Sequence, residues 1–127
     1  MSNVVLDASA LLALLNQEPG QEVVAEVLSK SLVSAVNLSE VVAKLMDQAI
    51  PKDDIQEILA ALDLSVIPFD EEQGIVAGQL RSLTKEYGLS LGDRACLALG
   101  LQTQHPVVTA DRNWAKLQIS LEIQLIR

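Results

Sequence analysis

Acidic side chains that directly follow two apolar runs are placed where they could bind a ligand. Asp7 follows the run Val4-Val5-Leu6, and Asp111 lies two residues after Thr109, which ends a second such run. Runs of this length and composition indicate short buried strands. Ligands of open α/β sheets bind outside the carboxyl ends of the strands, so we expect both carboxylates to face that crevice. A charge in the position of Asp7 is costly unless it caps the next helix or binds something.

Glu40 and Asp93 lie in the predicted first turns of two helices, which in this type of fold open onto the same crevice. A purely structural role also explains both residues. The segments 37–40 (NLSE) and 90–93 (SLGD) resemble capping boxes, in which the acidic side chain accepts a hydrogen bond from an unpaired backbone N–H. Glu40 is also spaced to pair with Lys44. The pattern by itself therefore leaves ligand binding and helix capping open.

An alternation of short strands and helices must position these acids. Hydrophobic periodicity and turn residues predict strands at 4–6, 32–36, 65–67, 106–109 and 121–126, the last as an edge strand. They predict helices at 8–15, 21–30, 51–62, 70–87 and 90–101, and one more that is capped by Asn37. Gly88 is expected to end the helix at 70–87. This alternation is typical of an α/β sandwich with a mainly parallel sheet.

Length and composition restrict the function classes. The 127 residues are 50% hydrophobic, which fits one domain over residues 1–127 with a shared core. Aromatic residues make up only 2%, too few for a surface that stacks single-stranded bases. The net charge of -8 repels polyanions, so binding to them would need a metal or a local basic patch.

The sequence also predicts a cytoplasmic protein without a membrane segment. The apolar stretch at 4–15 is too short to span a bilayer and contains Asp7 and Ser9. No Lys or Arg precedes that stretch, which argues against a signal peptide. The lone Cys96 cannot form an internal disulfide, which suits a reducing cytoplasm or a chain that does not need a disulfide.

Four segments resemble, in order, the motifs of PIN-domain proteins, especially VapC-type toxins of toxin–antitoxin pairs. They are residues 5–15 (VLDASALLALL), 37–42 (NLSEVV), 89–98 (LSLGDRACLA) and 107–114 (VVTADRNW). Together they span nearly the whole chain. This chain has Asn113 before Trp114, where many relatives carry a further Asp, so the fourth acidic role rests on Asp111 alone.

The resemblance implies a PIN-like three-layer sandwich and a metal-dependent endoribonuclease. It places Mg²⁺ or Mn²⁺ in an acidic cluster whose members serve as catalytic residues and metal ligands: Asp7, Glu40, Asp93 and Asp111. Ser9 and Thr109 are then hydroxyl neighbours at the substrate-binding site. Arg94 and Arg112 each follow a proposed ligand, where they would hold the RNA backbone or pair with nearby acids at the surface.

The resemblance also suggests partners. We expect a homodimer and a cognate antitoxin whose basic or tail residues occupy the acidic cleft. The segment 21–62, interpreted as a helical hairpin, carries many apolar residues and is the expected covered surface.

A hard divalent cation suits such an acidic cluster. Two carboxylates about 4 Å apart repel by roughly 4 kcal/mol at an effective dielectric of 20, so several in one pocket need a compensating charge. Oxygen ligands select Mg²⁺ or Mn²⁺ over zinc. Cys96 and His105 are each the only residue of their type, which leaves no His or Cys cluster for zinc. The bound ion can activate water for attack on a phosphodiester.

Three other functions are alternatives to a metal-dependent nuclease. A PIN fold without catalysis could act as a binding module, although the presence of all four acids argues against it. A phosphohydrolase with Asp7 as nucleophile would want a second Asp two residues later, where Ser9 stands. A receiver-type signalling domain needs an acceptor Asp at a mid-chain strand end and a downstream Lys, and Asp70 and Lys116 fit those positions poorly.

Overall fold

A five-stranded parallel sheet forms the centre of the protein. The computed structural model describes residues 3–127. In chain order the strands are β1 Val4–Leu6, β2 Ser31–Ser34, β3 Ser65–Ile67, β4 Val107–Thr109 and β5 Ile123–Leu125. They are arranged as β3-β2-β1-β4-β5, and every neighbouring pair is parallel. The carboxyl ends of all five strands therefore lie at one edge, with β1 central.

Helices connect the strands and cover both faces of the sheet. They are α1 Ala8–Leu15, α2 Gln21–Val27, α3 Ala35–Asp47, α4 Lys52–Leu62, α5 Glu71–Gln79, α6 Arg81–Thr84 and α7 Leu91–Thr103. Short 3₁₀ turns lie at Leu28–Lys30, Lys85–Tyr87 and Arg112–Lys116. The predicted α/β sandwich with a parallel sheet is confirmed. Across residues 3–127, none of the helices has both the length and the apolar character needed to cross a bilayer.

Two apolar clusters, one on each face of the sheet, produce the three layers. Successive side chains of a strand point to opposite faces. Val4 and Leu6 accordingly pack with α1, α2, α3 and α4, whereas Val5 packs with α5, α7 and Trp114. Residues 95–100 of α7 are buried throughout, as expected for a helix that is apolar on nearly every side. β1 is packed between the two clusters, and this packing fixes the position of Asp7 at the end of the strand.

The predicted boundary between β2 and α3 was wrong. The strand ends at Ser34, whose Oγ accepts a hydrogen bond from the Val36 N–H at 3.2 Å and caps the helix. Ala35 and Val36, predicted as strand residues, form the first turn of α3, and Asn37 is buried inside that helix. Ser34 and Asn37 are both residue types that cap helices well. Ser34, which comes first in the chain, is the one that caps α3.

The predicted helix at 70–87 is interrupted at Leu80. Its parts are α5, α6 and a 3₁₀ turn, with Asp70 capping the start and Gly88 ending it at φ +67°. Two glycines in α5 weaken its helical preference. The buried Thr84 hydroxyl donates to the Leu80 carbonyl at 2.9 Å, a type of bond that often bends helices.

Other predicted elements differ less. The helix expected at 21–30 is α2 followed by a 3₁₀ turn, and β5 is shorter than the edge strand expected at 121–126.

The segment 21–62 was wrongly interpreted as a helical hairpin. It contains α2, β2, α3 and α4, because the strand residues Ser31–Ser34 pair with β1 and β3.

Candidate active site

Asp7 lies at the carboxyl end of β1 and is both a helix cap and part of a cavity wall. Its Oδ1 accepts a hydrogen bond from the Ala10 N–H at 2.9 Å, which caps α1. The Ser9 hydroxyl donates to the same carboxylate at 2.8 Å, and the Thr109 hydroxyl donates to Oδ2 at 2.6 Å. Only 4% of Asp7 is exposed. The carboxylate is therefore held in one orientation by three donors.

Burial makes the ionised form of Asp7 unfavourable. It raises the pKa of this carboxyl group from 3.8 to about 6. The hydrogen bonds from Thr109, Ala10 and Ser9 lower the pKa but do not offset the loss of solvent, and the charge of Asp93 raises it further. A cation beside Asp7 would favour its ionised form.

Ser9 and Thr109 connect Asp7 to the segment that follows β4. The Ser9 Oγ accepts a hydrogen bond from the Ala110 N–H at 2.9 Å, and the Thr109 Oγ1 accepts one from the Asp111 N–H at 3.0 Å. Both hydroxyls thus link the ends of two adjacent strands. Thr109 is completely buried, so the predicted contact of its side chain with substrate does not fit this structure. Ser9 lines the cavity.

The other three acids also make local hydrogen bonds. Asp93 completes the predicted capping box, since its Oδ2 accepts from the Ser90 N–H at 3.0 Å and the Ser90 Oγ accepts from the Asp93 N–H at 3.2 Å. Asp111 caps the 3₁₀ turn at Arg112–Lys116 by accepting from the Asn113 N–H. Glu40 forms no capping box. Its Oε1 instead accepts a hydrogen bond from the Asn37 side-chain amide at 2.8 Å.

All four predicted acids line one cavity at the carboxyl edge of the sheet. Its volume is about 230 Å³, and it is lined by Asp7, Ala8, Ser9, Leu12, Glu40, Lys44, Asp93 and Asp111. Beneath it, the pKa of the buried Cys96 thiol is raised by loss of solvent and by the charges of Asp7, Asp93 and Glu40. Three larger cavities contain at most one acid each.

The chemistry of this donor set suits a hard divalent cation. The cavity wall contains four carboxylates and one hydroxyl but no sulfur or imidazole, which favours Mg²⁺ or Mn²⁺. As they stand, no three of the His, Cys, Asp and Glu side chains in residues 3–127 converge closely enough to ligate one ion. Mg²⁺ keeps several of its waters and needs only one or two direct carboxylates. The residues present therefore fit an ion held partly through water.

The predicted arginines do not face this cavity. Arg94 turns toward α5, where its guanidinium donates to the Ala77 carbonyl at 2.9 Å, and Arg112 donates to the Arg127 carbonyl at 3.2 Å. Neither side chain is part of the cavity wall. Arg112 is exposed beside Asp111, so its contact with RNA stays a prediction. A third cation, Lys44, does line the cavity.

In the sequence, Lys44 was predicted only as a possible partner of Glu40. Within the described residues, the single ion pair joins Arg127 and Glu18 at 3.3 Å, so Lys44 and Glu40 are not paired. The spacing of four residues places both on the same side of α3. That spacing was the signal that could have identified Lys44 as a cavity residue.

Comparison with known families identifies the motifs around this cavity. The family model described as the PIN domain matches residues 4–119. The chain belongs to the PIN-domain family. The match includes all four cavity acids, and it confirms the family resemblance of the four sequence motifs.

Solved structures share this PIN fold. The DNA-bound VapBC from Salmonella typhimurium is 18% identical, with 100% of both chains covered and a TM-score of 0.77. VapBC2 from Rickettsia felis, bound to a promoter DNA fragment, is 16% identical over 95% of this chain and 96% of that chain, with a TM-score of 0.74. VapBC-5 from Mycobacterium tuberculosis is 23% identical over 100% and 99%, with a TM-score of 0.64. A comparison with curated protein sequences gave no significant match.

Proposed function

We propose that this PIN domain is a divalent-metal-dependent endoribonuclease and the toxin of a type II toxin–antitoxin pair. One observation carries the catalytic part: the four acids from separate segments of the chain line a single cavity at the carboxyl edge of the sheet. In α/β folds this edge is the usual ligand site. The family membership supports the same assignment.

The four carboxylates would hold the metal, and the surrounding residues keep them oriented. When bound, a divalent ion supplies charge neutralisation at the phosphodiester and lowers the pKa of the attacking water. Asp7 is kept in place by the hydroxyls of Ser9 and Thr109. Asp93 keeps its orientation through the capping box with Ser90. These contacts reduce the reorganisation that ligand binding would otherwise require.

Lys44 would contribute a positive charge at the cavity wall. The protein carries a net charge of -8, so an RNA phosphate approaching the acids meets strong repulsion. The exposed ammonium group of Lys44 can partly offset that repulsion. We propose that Lys44 contacts the RNA backbone, the role that the sequence assigned to Arg94 and Arg112.

A protein antitoxin and a second copy of the chain are the proposed partners. The similar folds are found in VapBC complexes, including one from a toxin–antitoxin system of Mycobacterium tuberculosis. Besides the acidic cavity, an apolar groove of about 390 Å³ lies between α3 and α4. The groove is part of the segment 21–62, for which the sequence predicts the covered surface. We propose cytoplasmic localisation, as expected for a toxin that acts on cellular RNA.

Cleavage of structured RNAs tests the activity. The purified protein is incubated with a panel of tRNAs and RNA hairpins in Mg²⁺, in Mn²⁺ and in chelator. We expect endonucleolytic products only with metal. The matched control is Glu57→Gln, which removes an exposed acid on α4 and should cleave as the native protein does. Absence of cleavage in every RNA and metal, together with no stabilisation by either ion, would reject the proposal.

A further inference from the structure

Asn37 makes a buried polar connection between α3 and α7. Its side-chain amide donates to Glu40 Oε1 at 2.8 Å and to the Gly92 carbonyl at 3.0 Å. Only 1% of Asn37 is exposed. Asn37 lies in the first turn of α3, but Ser34 and not Asn37 caps this helix, and the Asn37 side chain contacts Glu40 and α7 instead.

The orientation of this amide is determined by its neighbours. Glu40 Oε1 and the Gly92 carbonyl are both acceptors, so only the NH₂ group of Asn37 can face them. The amide oxygen, in contrast, is buried without a hydrogen-bond partner in residues 3–127. A buried unpaired acceptor destabilises a fold. The amide is thus well suited to holding Glu40 and poorly suited to stabilising the core.

Gly92 provides the space in which the Glu40 carboxylate lies. A Cβ atom at position 92 would overlap the carboxylate carbon and both carboxylate oxygens of Glu40. The backbone of Gly92 is helical, so no unusual φ requires glycine there. Alanine would be the better helix former. The absent side chain therefore serves the contact with Glu40.

We propose that Asn37 and Gly92 are positioning residues that hold the Glu40 carboxylate against α7, beside Asp93, in the acidic cavity. The inference rests on the proposed metal-dependent function and extends it to how the site is assembled. Because Gly92 directly precedes Asp93, the contact couples the two helices that carry these acids. Without it, the Glu40 side chain is free to turn toward solvent or toward Lys44.

Metal binding provides the first test. Mn²⁺ binding is measured by isothermal titration for the native protein, Asn37→Leu and Gly92→Ala. Leucine keeps the branched shape of Asn37 and removes the donor. Loss of such an outer contact typically weakens metal affinity by about 10- to 100-fold, and we expect that loss in both variants. RNA cleavage should show a lower kcat with little change in KM. The control Gly78→Ala adds a methyl group to α5 where no atom lies within 4 Å, and should bind Mn²⁺ normally.

A second test needs neither metal nor RNA. In the metal-free native protein the new methyl group displaces the end of the Glu40 side chain and breaks its bond with Asn37. This loss opposes the gain in helix propensity, so Gly92→Ala should raise the Tm little or not at all. In a Glu40→Ala background the overlap is gone, so Gly92→Ala should raise the Tm through its better helix propensity. A larger Tm gain in the Glu40→Ala background than in the native background is the expected result.

The outcomes separate the two proposals. An equal Tm change in both backgrounds would overturn the positioning role, whatever the protein binds. Normal Mn²⁺ affinity in Asn37→Leu and Gly92→Ala would also overturn it while leaving the nuclease function intact. A larger Tm gain in the Glu40→Ala background, in a protein that neither binds Mn²⁺ nor cleaves RNA, would support the contact and reject the function.

Discussion

The acidic side chains of the cavity combine structural and functional positions. Asp7, Asp93 and Asp111 each accept a hydrogen bond at the start of a helical segment and still line the same cavity. Capping and ligand binding are therefore compatible for these residues. A capping role alone does not explain why ionisation of Asp7 is unfavourable. Most capping carboxylates are solvated and remain easily ionised.

Asp7→Asn should stabilise the metal-free protein near neutral pH. The pKa of Asp7 is raised from 3.8 to about 6, so the carboxyl group contributes stability below pH 3.8 and loses it as pH rises through 6. The shift corresponds to about 3 kcal/mol. Asparagine caps nearly as well as aspartate. Melting curves from pH 4 to pH 8 in chelator should therefore show a larger Tm advantage of the variant at pH 8 than at pH 4.

Mg²⁺ should remove most of that advantage. A ligand that binds only the folded state stabilises it by about 2.7 kcal/mol at 100 times its Kd. We expect this gain for the native protein and much less for Asp7→Asn. The same melts in millimolar Mg²⁺ provide the measurement. Parallel pH curves, with both proteins indifferent to Mg²⁺ and Mn²⁺, would contradict a metal role for Asp7.

Asp93→Asn should abolish most RNA cleavage without unfolding the protein. The asparagine oxygen can still accept from the Ser90 N–H, whereas one ligand charge is lost. We expect the rate to fall by orders of magnitude at an unchanged Tm. Asp70→Asn is the matched control, because Asp70 also caps a helix but lies outside the cavity wall. Native activity in Asp93→Asn would remove this residue from the site.

At the scale of elements, α3 places two opposite charges in the cavity. Glu40 and Lys44 are one turn apart and both line the wall without forming an ion pair. The helix starts at Ala35 because Ser34 caps it, and this start brings Asn37 under Glu40. A helix capped by Asn37 would have left that amide outside the helix and without its contact to α7.

Lys44→Gln separates metal binding from RNA binding. Removing a positive charge from the cavity wall should tighten Mn²⁺ binding, because the cation no longer faces a like charge. RNA affinity, measured in a non-cleaving Asp93→Asn background, should weaken and depend less on salt. Lys85→Gln, a change at an exposed lysine outside the cavity, serves as the control. Unchanged RNA affinity in Lys44→Gln would exclude this contact.

At the scale of the whole molecule, apolar surface outside the core points to assembly. The groove between α3 and α4 is lined by apolar atoms for most of its surface, and Met46 at its wall is 44% exposed. Exposed apolar patches of this kind mark interaction sites in many proteins. This feature is compatible with the proposed second copy or antitoxin.

We expect a homodimer at micromolar concentration. Multi-angle light scattering should give a mass about twice the 13.7 kDa of the chain. Met46→Glu places a charge in the groove and should shift the mass toward the monomer if the groove is the dimer contact. A monodisperse native monomer would exclude the dimer, and a Met46→Glu dimer would move the contact to another surface.

Local sequence patterns predicted the fold class, most of the elements and the four acids that line the cavity. Several of these features depend only on chemistry within a short segment. They are the strands at 4–6 and 65–67, the Ser90 capping box and the helix end at Gly88. The family motifs added the expectation of a metal-dependent nuclease. Where two local signals competed, as between Ser34 and Asn37 at the start of α3, the pattern did not settle the boundary.

The assembly of the site depends on contacts between residues that are far apart in the chain. The burial that raises the pKa of Asp7 depends on the layers packed around β1. The contact of Asn37 with Gly92 joins residues 55 positions apart, and no local pattern encodes such a distance. The orientation of the Arg94 side chain toward α5 likewise depends on helix packing. Side-chain direction follows from three-dimensional neighbours, so residue type and spacing identified the acids but not the groups that hold them.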